Sequence, residues 1–307
     1  MPLPALLLAA VPAIATPPLP QEPRGGTSRE VEVRVEVRDA TSSAAPGTVE
    51  EVRTTVVTTG AEGPRKRPGP LDGFWFDLET GPLLIARNDA QYGPNDGTFF
   101  TAGDLMQNRN LLPSQRVVAE ARFWDTESLI FLYAPLDLTT RVVLPKDITF
   151  QDTAFARGTV VDARYKFEGW RLSWLHRVAG TWEDGFEVGL TNQIRNAIVS
   201  FSDVQGLKYD DEQDIGWVPA LKVRWRKPLP QGMSFVWEAD ASSTLGLLPV
   251  KGGLLDTAAT LLIPLQRKLD TFFRVRLVNG GATVAERRIF NDSDFYAGLV
   301  GLRWRVR

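Results

Sequence analysis

The sequence predicts an all-β chain: a transmembrane, antiparallel, up-and-down β-barrel of about twelve strands, with ten the other even count, behind a short N-terminal extension. Three observations point there. Strand-like segments alternate apolar and polar residues at period two from residue 71 onward. No segment after the first residues has the roughly 18 consecutive apolar residues of a transmembrane helix. Aromatics bracket the apolar face of single strands. Trp217 and Trp225 share a parity, with Pro219, Leu221 and Val223 between them, and Tyr296 and Trp304 repeat the arrangement. Eight residues at about 3.3 Å each span roughly 26 Å along a strand. Tilted by about 40°, that matches the apolar band between two aromatic girdles.

The elements follow in order. MPLPALLLAAVPAIA reads as the apolar core of a signal peptide, with Ala13 and Ala15 as the cleavage box, so residues 1–15 are expected to be removed. Residues 16–70 form a periplasmic extension and linker. Within it, Arg29 to Arg38 alternates perfectly and Val49 to Thr59 is β-prone, which together allow a hairpin. GPRKRPGP (63–70) marks the boundary before the barrel, residues 71–307. Eleven strands are expected there, near 73–86, 115–125, 127–143, 158–168, 169–179, 184–202, 215–227, 232–244, 254–265, 269–279 and 294–307. An even count is required when both ends lie in the periplasm. The segment 184–202 is too long for one crossing, and a break at Thr191-Asn192-Gln193 gives twelve. Phe167-Glu168-Gly169-Trp170 reads as a two-residue hairpin with Gly169 at positive φ. KPLPQG (227–232) reads as a second periplasmic turn.

Composition narrows the function classes. A net charge of -2 gives nucleic acid no electrostatic purchase, so no such partner is expected. The chain has no Cys and one His, which excludes disulfides and thiolate metal sites. Nine Trp and sixteen Phe suit membrane-interface belts.

The faces opposite the apolar ones are charged. Asp162, Arg164 and Lys166 alternate with Val161, Ala163, Tyr165 and Phe167. Lys222 and Arg224 oppose the Trp face, Glu238 and Asp240 oppose Phe235 and Trp237, and Arg274 and Arg276 oppose Phe273 and Val275. In a membrane barrel these nine residues would line the lumen and pair across strands, with Lys222 opposite Glu238 in one register. Such charges are expected to tolerate neutral polar replacement better than the lipid face tolerates charge.

The last strand carries a spaced Gly301, Trp304 and Val306 that looks like the C-terminal assembly signal of outer-membrane proteins, with Val306-Arg307 in place of the usual terminal aromatic. More broadly, LIFLYAPLDL (129–138), ITFQDTAFARGT (148–159) and ARYKFEGWRLSWLHRV (163–178) resemble uncharacterised outer-membrane β-barrel proteins of Gram-negative bacteria. The resemblance implies location in the outer membrane, contact with its lipid and lipopolysaccharide, and insertion by the barrel assembly machinery. It brings no catalytic residues.

Candidate chemistry is sparse. His176 is the one imidazole, and its neighbours two residues away are Trp174 and Val178, not the Ser of lipid-hydrolysing barrels. The run Lys208 to Asp214 is acidic but lacks the spacing and Gly of a calcium loop. The sequence therefore favours a non-enzymatic structural barrel or a narrow channel for water and small polar solutes, without cofactor or metal. A lipid- or lipopolysaccharide-modifying enzyme, in which His176 gains a Ser or carboxylate from a neighbouring strand, and a soluble lipocalin-like periplasmic carrier are the alternatives.

Overall fold

The computed structural model describes residues 71–93, 97–245 and 250–306. The expected signal peptide and the expected 16–70 extension lie outside the described residues. Among the described residues ten strands close into one antiparallel barrel: β1 (Leu71–Gln91), β2 (Leu111–Phe123), β3 (Glu127–Val143), β6 (Val160–Gly180), β7 (Gly185–Asp203), β8 (Tyr209–Pro228), β9 (Ser234–Ser243), β10 (Val250–Gln266), β11 (Leu269–Val284) and β12 (Ile289–Arg305). β12 closes on β1, with Trp75 opposite Arg305 and Gln91 opposite Phe290. Two short strands, β4 (Ile148–Phe150) and β5 (Thr153–Phe155), form a separate hairpin in the β3–β6 connection.

Closure leaves no sheet edge, which is the condition for crossing lipid with strands. The β2–β3, β6–β7, β8–β9 and β10–β11 turns lie at the end that holds Leu71 and Arg305. The long connections after β1 and β3 lie at the other end. Short turns mark the periplasmic side of such barrels and long loops the extracellular side.

Ten is the lower of the two even counts, and two expected breaks are absent. Residues 158–168 and 169–179 are one strand, β6. Gly169 sits mid-ladder between Ala134 and Arg195, with no positive φ. Phe167 points inward and Trp170 outward, so they do not face one another. Nor does 184–202 break at Asn192. Thr191 and Gln193 are buried inward, and Asn192 lies outside, where its Oδ1 accepts from Trp217 Nε1 at 3.3 Å. Polar residues there reflect a polar interior, not a turn.

The reason both segments exceed one crossing is a change of solvent along the strand. In the lower half of β6, Trp170, Leu172 and Trp174 face out while Arg171 and Ser173 are buried. In the upper half the polarity reverses: Val161, Ala163 and Tyr165 are buried, and Asp162, Arg164 and Lys166 face out. The parity never changes, but the chemistry of each face does. The wall thus continues past the lipid into water as a soluble barrel with an apolar core.

That core is an extracellular plug. Phe100, Phe150, Phe155 and Phe201 are almost fully buried, with Phe150 and Phe201 ring centres 4.9 Å apart and Tyr92 5.2 Å from Phe150. Residues 97–109 of the β1–β2 connection fold into the mouth and are pinned there. Ala90 and Phe100 exchange backbone hydrogen bonds at 2.9 Å, and Asn88 Nδ2 donates to Gln107 Oε1 at 3.0 Å. The β4–β5 hairpin joins it through the Gln151 amide, which donates to Tyr92 O at 3.1 Å. Residues 148–157, which lie between the strands expected from the sequence, supply this cap.

Pro219 interrupts no hydrogen bond of the β8–β9 ladder. The β8–β9 ladder runs only from Leu221/Ala241 to Pro228/Ser234, so Pro219 lies just beyond it and need not donate. Its carbonyl accepts from Ser242 Oγ at 2.6 Å.

This topology predicts labelling. Because the chain lacks Cys, single substitutions are clean probes. Gln205→Cys in the β7–β8 loop should react with an impermeant maleimide on intact cells. Gln231→Cys in the β8–β9 turn and Gly169→Cys inside the wall should not react. Labelling at Gln231, or silence at Gln205, would contradict this topology.

Candidate functional site: a charged interior

Below the plug the barrel is filled by charge. Each inward position follows from strand parity. In β8 Lys222, Arg224 and Arg226 are buried while Trp217, Leu221 and Trp225 face lipid; in β12 Arg303 is buried while Tyr296, Val300, Leu302 and Trp304 face out.

Arg224 is the hub. It is 2% exposed. Its Nε donates to Glu187 Oε2 at 2.6 Å, and its Nη2 reaches Glu187 Oε1 at 2.6 Å, Glu120 Oε1 at 3.0 Å and Ser128 Oγ at 3.0 Å. Glu120 is shared further. Arg303 Nη2 donates to its Oε2 at 2.5 Å and Arg122 Nε to its Oε1 at 2.9 Å, with Arg226 looser at 3.3 Å. A second cluster lies higher. Arg276 grips Asp256 in a two-pronged pair at 2.8 and 2.5 Å, and Arg171 also bonds Asp256. Lys222 Nζ donates to Asp240 Oδ2 at 2.9 Å. A third joins Glu79 to Arg274 at 2.7 Å and to Arg116 at 2.8 Å.

Of the nine residues expected in the lumen, the structure places Lys222, Arg224, Glu238, Asp240, Arg274 and Arg276 inside. The register differs from the one expected: Lys222 lies opposite Asp240 and Arg224 opposite Glu238. Asp162, Arg164 and Lys166 are not in the lumen. They lie on the outer wall above the lipid belt, because β6 runs on into water and its faces exchange roles there. Arg141 pairs with Asp162 at 2.8 Å, Arg164 with Asp137 at 2.5 Å, and Lys166 with Glu168 at 3.0 Å. The hydrogen bond from Arg164 holds the Asp137 carboxyl below its ordinary range.

The sequence reading missed half of the network: Asp77, Glu79, Arg116, Glu120, Arg122, Arg171, Glu187 and Asp256. The signal was present. Arg116, Val118, Glu120 and Arg122 share one parity in RVVAEARF. Also missed was a stack across the periplasmic mouth. The Arg122 guanidinium lies 4.2 Å from the Trp75 ring centre and 4.7 Å from that of Trp182, and Arg177 lies 4.5 Å from Trp182. Trp182 comes from the β6–β7 turn, folded inward. Between plug and stack remains a cavity of about 40 Å³. That is room for about three water-sized probes.

The remaining residues singled out from the sequence are placed as follows. Trp217, Trp225, Tyr296 and Trp304 all face outward and are exposed. Gly301 faces inward beneath the Phe272 ring, which leaves no space for a Cβ. Val306 faces outward, and its amide donates to Phe74 O at 2.9 Å. His176 is on the outer face near the periplasmic rim. Its Nδ1 lies 2.6 Å from Glu127 Oε1, while Trp174 Nε1 donates to Glu127 Oε2 at 2.8 Å. In the acidic run, Glu212 bonds Arg287 and Gln151. Among the described residues no group of three or more His, Asp or Glu is placed to hold a metal ion.

No protein-family model and no curated protein matches the chain. Solved structures do resemble it in fold. The outer membrane protease OmpT from Escherichia coli superposes with a TM-score of 0.45 at 8% identity, covering 76% of this chain and 97% of that one. The β domain of the Bordetella autotransporter BrkA gives 0.40 at 12% identity, covering 77% and 99%. Ail of Yersinia pestis, in complex with the heparin analogue sucrose octasulfate, gives 0.31 at 8%, covering 76% and 99%. These likenesses concern the barrel alone. Location is decided by this chain's own surface: a closed ladder whose exposed outer face is Leu, Ile, Val and Phe between Trp and Tyr. The chain is an outer-membrane β-barrel. A soluble lipocalin-like carrier would carry its apolar face inside over the whole barrel, and here that holds only above the belt.

The outer-membrane barrel should respond differently at its three kinds of position. Arg224→Met strands buried Glu187 and Glu120 and should cost about 3–5 kcal/mol, the range for breaking a buried pair. Leu221→Arg in the lipid band should cost about 2–4 kcal/mol. Arg164→Gln on the exposed wall should cost about 0–1 kcal/mol. Urea unfolding in lipid vesicles checks the order. On this geometry the interior charges are expected to be at least as intolerant of replacement as the lipid face is of charge.

Proposed function

We propose that this barrel is a non-enzymatic structural element of the outer membrane that does not conduct solutes in its resting form. The supporting observation is the filled interior: an aromatic plug above, the Trp75–Arg122–Trp182 stack below, and about 40 Å³ between them. Paired arginines and carboxylates brace the wall from within, so charge here serves as packing. The outer belt contacts lipid, and the water-exposed upper wall, with its ion pairs on β3 and β6, stands where lipopolysaccharide headgroups lie. Gly301, Trp304 and Val306 are proposed as the strand read by the barrel assembly machinery.

A second reading draws on one observation. His176 does gain a carboxylate from a neighbouring strand, Glu127 on β3. Its hydroxyl neighbour Thr126 donates to Glu127 rather than to the imidazole, at 3.0 Å, so the pair lacks the relay a nucleophile needs.

Planar-bilayer recording tests the leading proposal. The intact protein should show no steady conductance, while Trp182→Ala should raise the frequency of brief openings. Stable open channels in the unaltered protein would contradict it. Hydrolysis of phospholipid or lipopolysaccharide that disappears in His176→Ala would establish the second reading instead.

A further inference from the structure

The charges inside the barrel do not sum to zero. The 40 Å³ cavity is lined by seven cationic side chains and five carboxylates. Their partners Arg122, Arg276, Glu79 and Glu187 add two of each sign. The inward-facing Arg195 and Asp270 flanking this layer add one of each. Two positive charges are left over in this layer, whether or not the flanking pair is counted.

Titration cannot remove them. Arginine keeps its proton in proteins. Protonating any carboxylate widens the imbalance, and releasing the Lys222 proton would remove one charge of the two. Uncompensated charge away from bulk water costs several kcal/mol per ion. The excess also has a location. Arg226 and Arg116 line the cavity at 8% and 3% exposure, and the Nε of each is buried without a hydrogen-bond acceptor. Arg226 is the loosest cation of its cluster, with its nearest carboxylate contact at 3.3 Å. Water bridging to Asp77, whose Oδ1 also lacks a donor, would satisfy hydrogen bonds but leave the charge sum unchanged.

We propose that the barrel interior is a binding site for a monovalent inorganic anion of halide size, held in this cavity at the guanidinium of Arg226 or of Arg116, the Nε of each being buried without an acceptor. The volume suits a halide and excludes organic solutes. One such anion offsets one of the two excess charges and is enclosed as the barrel folds. This inference rests on the charge count and does not depend on whether the barrel conducts.

Refolding the full chain into lipid vesicles at fixed ionic strength tests it. In sodium chloride or bromide the unfolding equilibrium should favour the folded state by about tenfold more than in sodium gluconate, as expected of a ligand near ten times its Kd. Crystals grown in bromide should show an anomalous peak within hydrogen-bonding reach of Arg226 or Arg116. Arg226→Met, which removes one unmatched charge, should shrink the halide dependence. Equal stability in all three salts, or bromide peaks confined to the protein surface, would overturn the proposal. Both readouts are available on the unaltered protein if the variant does not fold.

Discussion

A strand that runs from lipid into water meets two solvents, yet its side chains alternate with one fixed period. Everything distinctive about this barrel follows from that constraint. Backbone groups in the bilayer must be paired within the wall, which forces closure. Once closed, the wall has an inside and an outside whose polarity must answer to the local solvent. In lipid the outside is apolar and the inside must take the charge. Above the belt the outside is wet, and the inside reverts to an ordinary apolar core. β6 shows both regimes in one strand, with Arg171 inside at one level and Val161 inside at another.

The charged layer is therefore a packing solution as well as an electrostatic one. Arg side chains are long, planar and able to bridge two carboxylates, so a few of them span the interior between opposite strands. Arg224 on β8 reaches Glu187 on β7 and Glu120 on β2. Arg303 on β12 meets the same Glu120. The Arg224–Glu120 tie crosses the barrel between strands four apart in the ladder, Arg303–Glu120 spans β1, and Arg224–Glu187 locks neighbouring strands. The same geometry explains why losing a single partner is costly: the carboxylate left behind has no route to water. The exposed pairs on β3 and β6 carry no such penalty.

What was legible in the sequence follows the same division. Alternation, the aromatic rims at Trp217/Trp225 and Tyr296/Trp304, and the inward placement of Lys222, Arg224 and Arg274 depend on parity alone, and parity is written in the sequence. Height along the membrane normal is not. Asp162-Ala163-Arg164 and Lys222-Val223-Arg224 have the same local pattern, and only their distance from the girdle puts one triplet's charges outside and the other's inside. The same ambiguity produced the false turn at Gly169, where the two regimes meet. The plug residues Phe100, Phe150 and Phe201 come from separate connections and strands, so only the closed wall brings them together.

The account's central claim is that one continuous strand inverts its faces where lipid ends. Spin labels placed one at a time along β6 in lipid vesicles test it directly, by comparing collisions with oxygen, which concentrates in lipid, and with a water-soluble nickel complex. Positions 170, 172 and 174 should favour oxygen, and positions 162 and 164, of the same parity, should favour the nickel complex. Labels at 162 and 164 that are shielded from both reagents would put those residues back in the lumen and contradict the account.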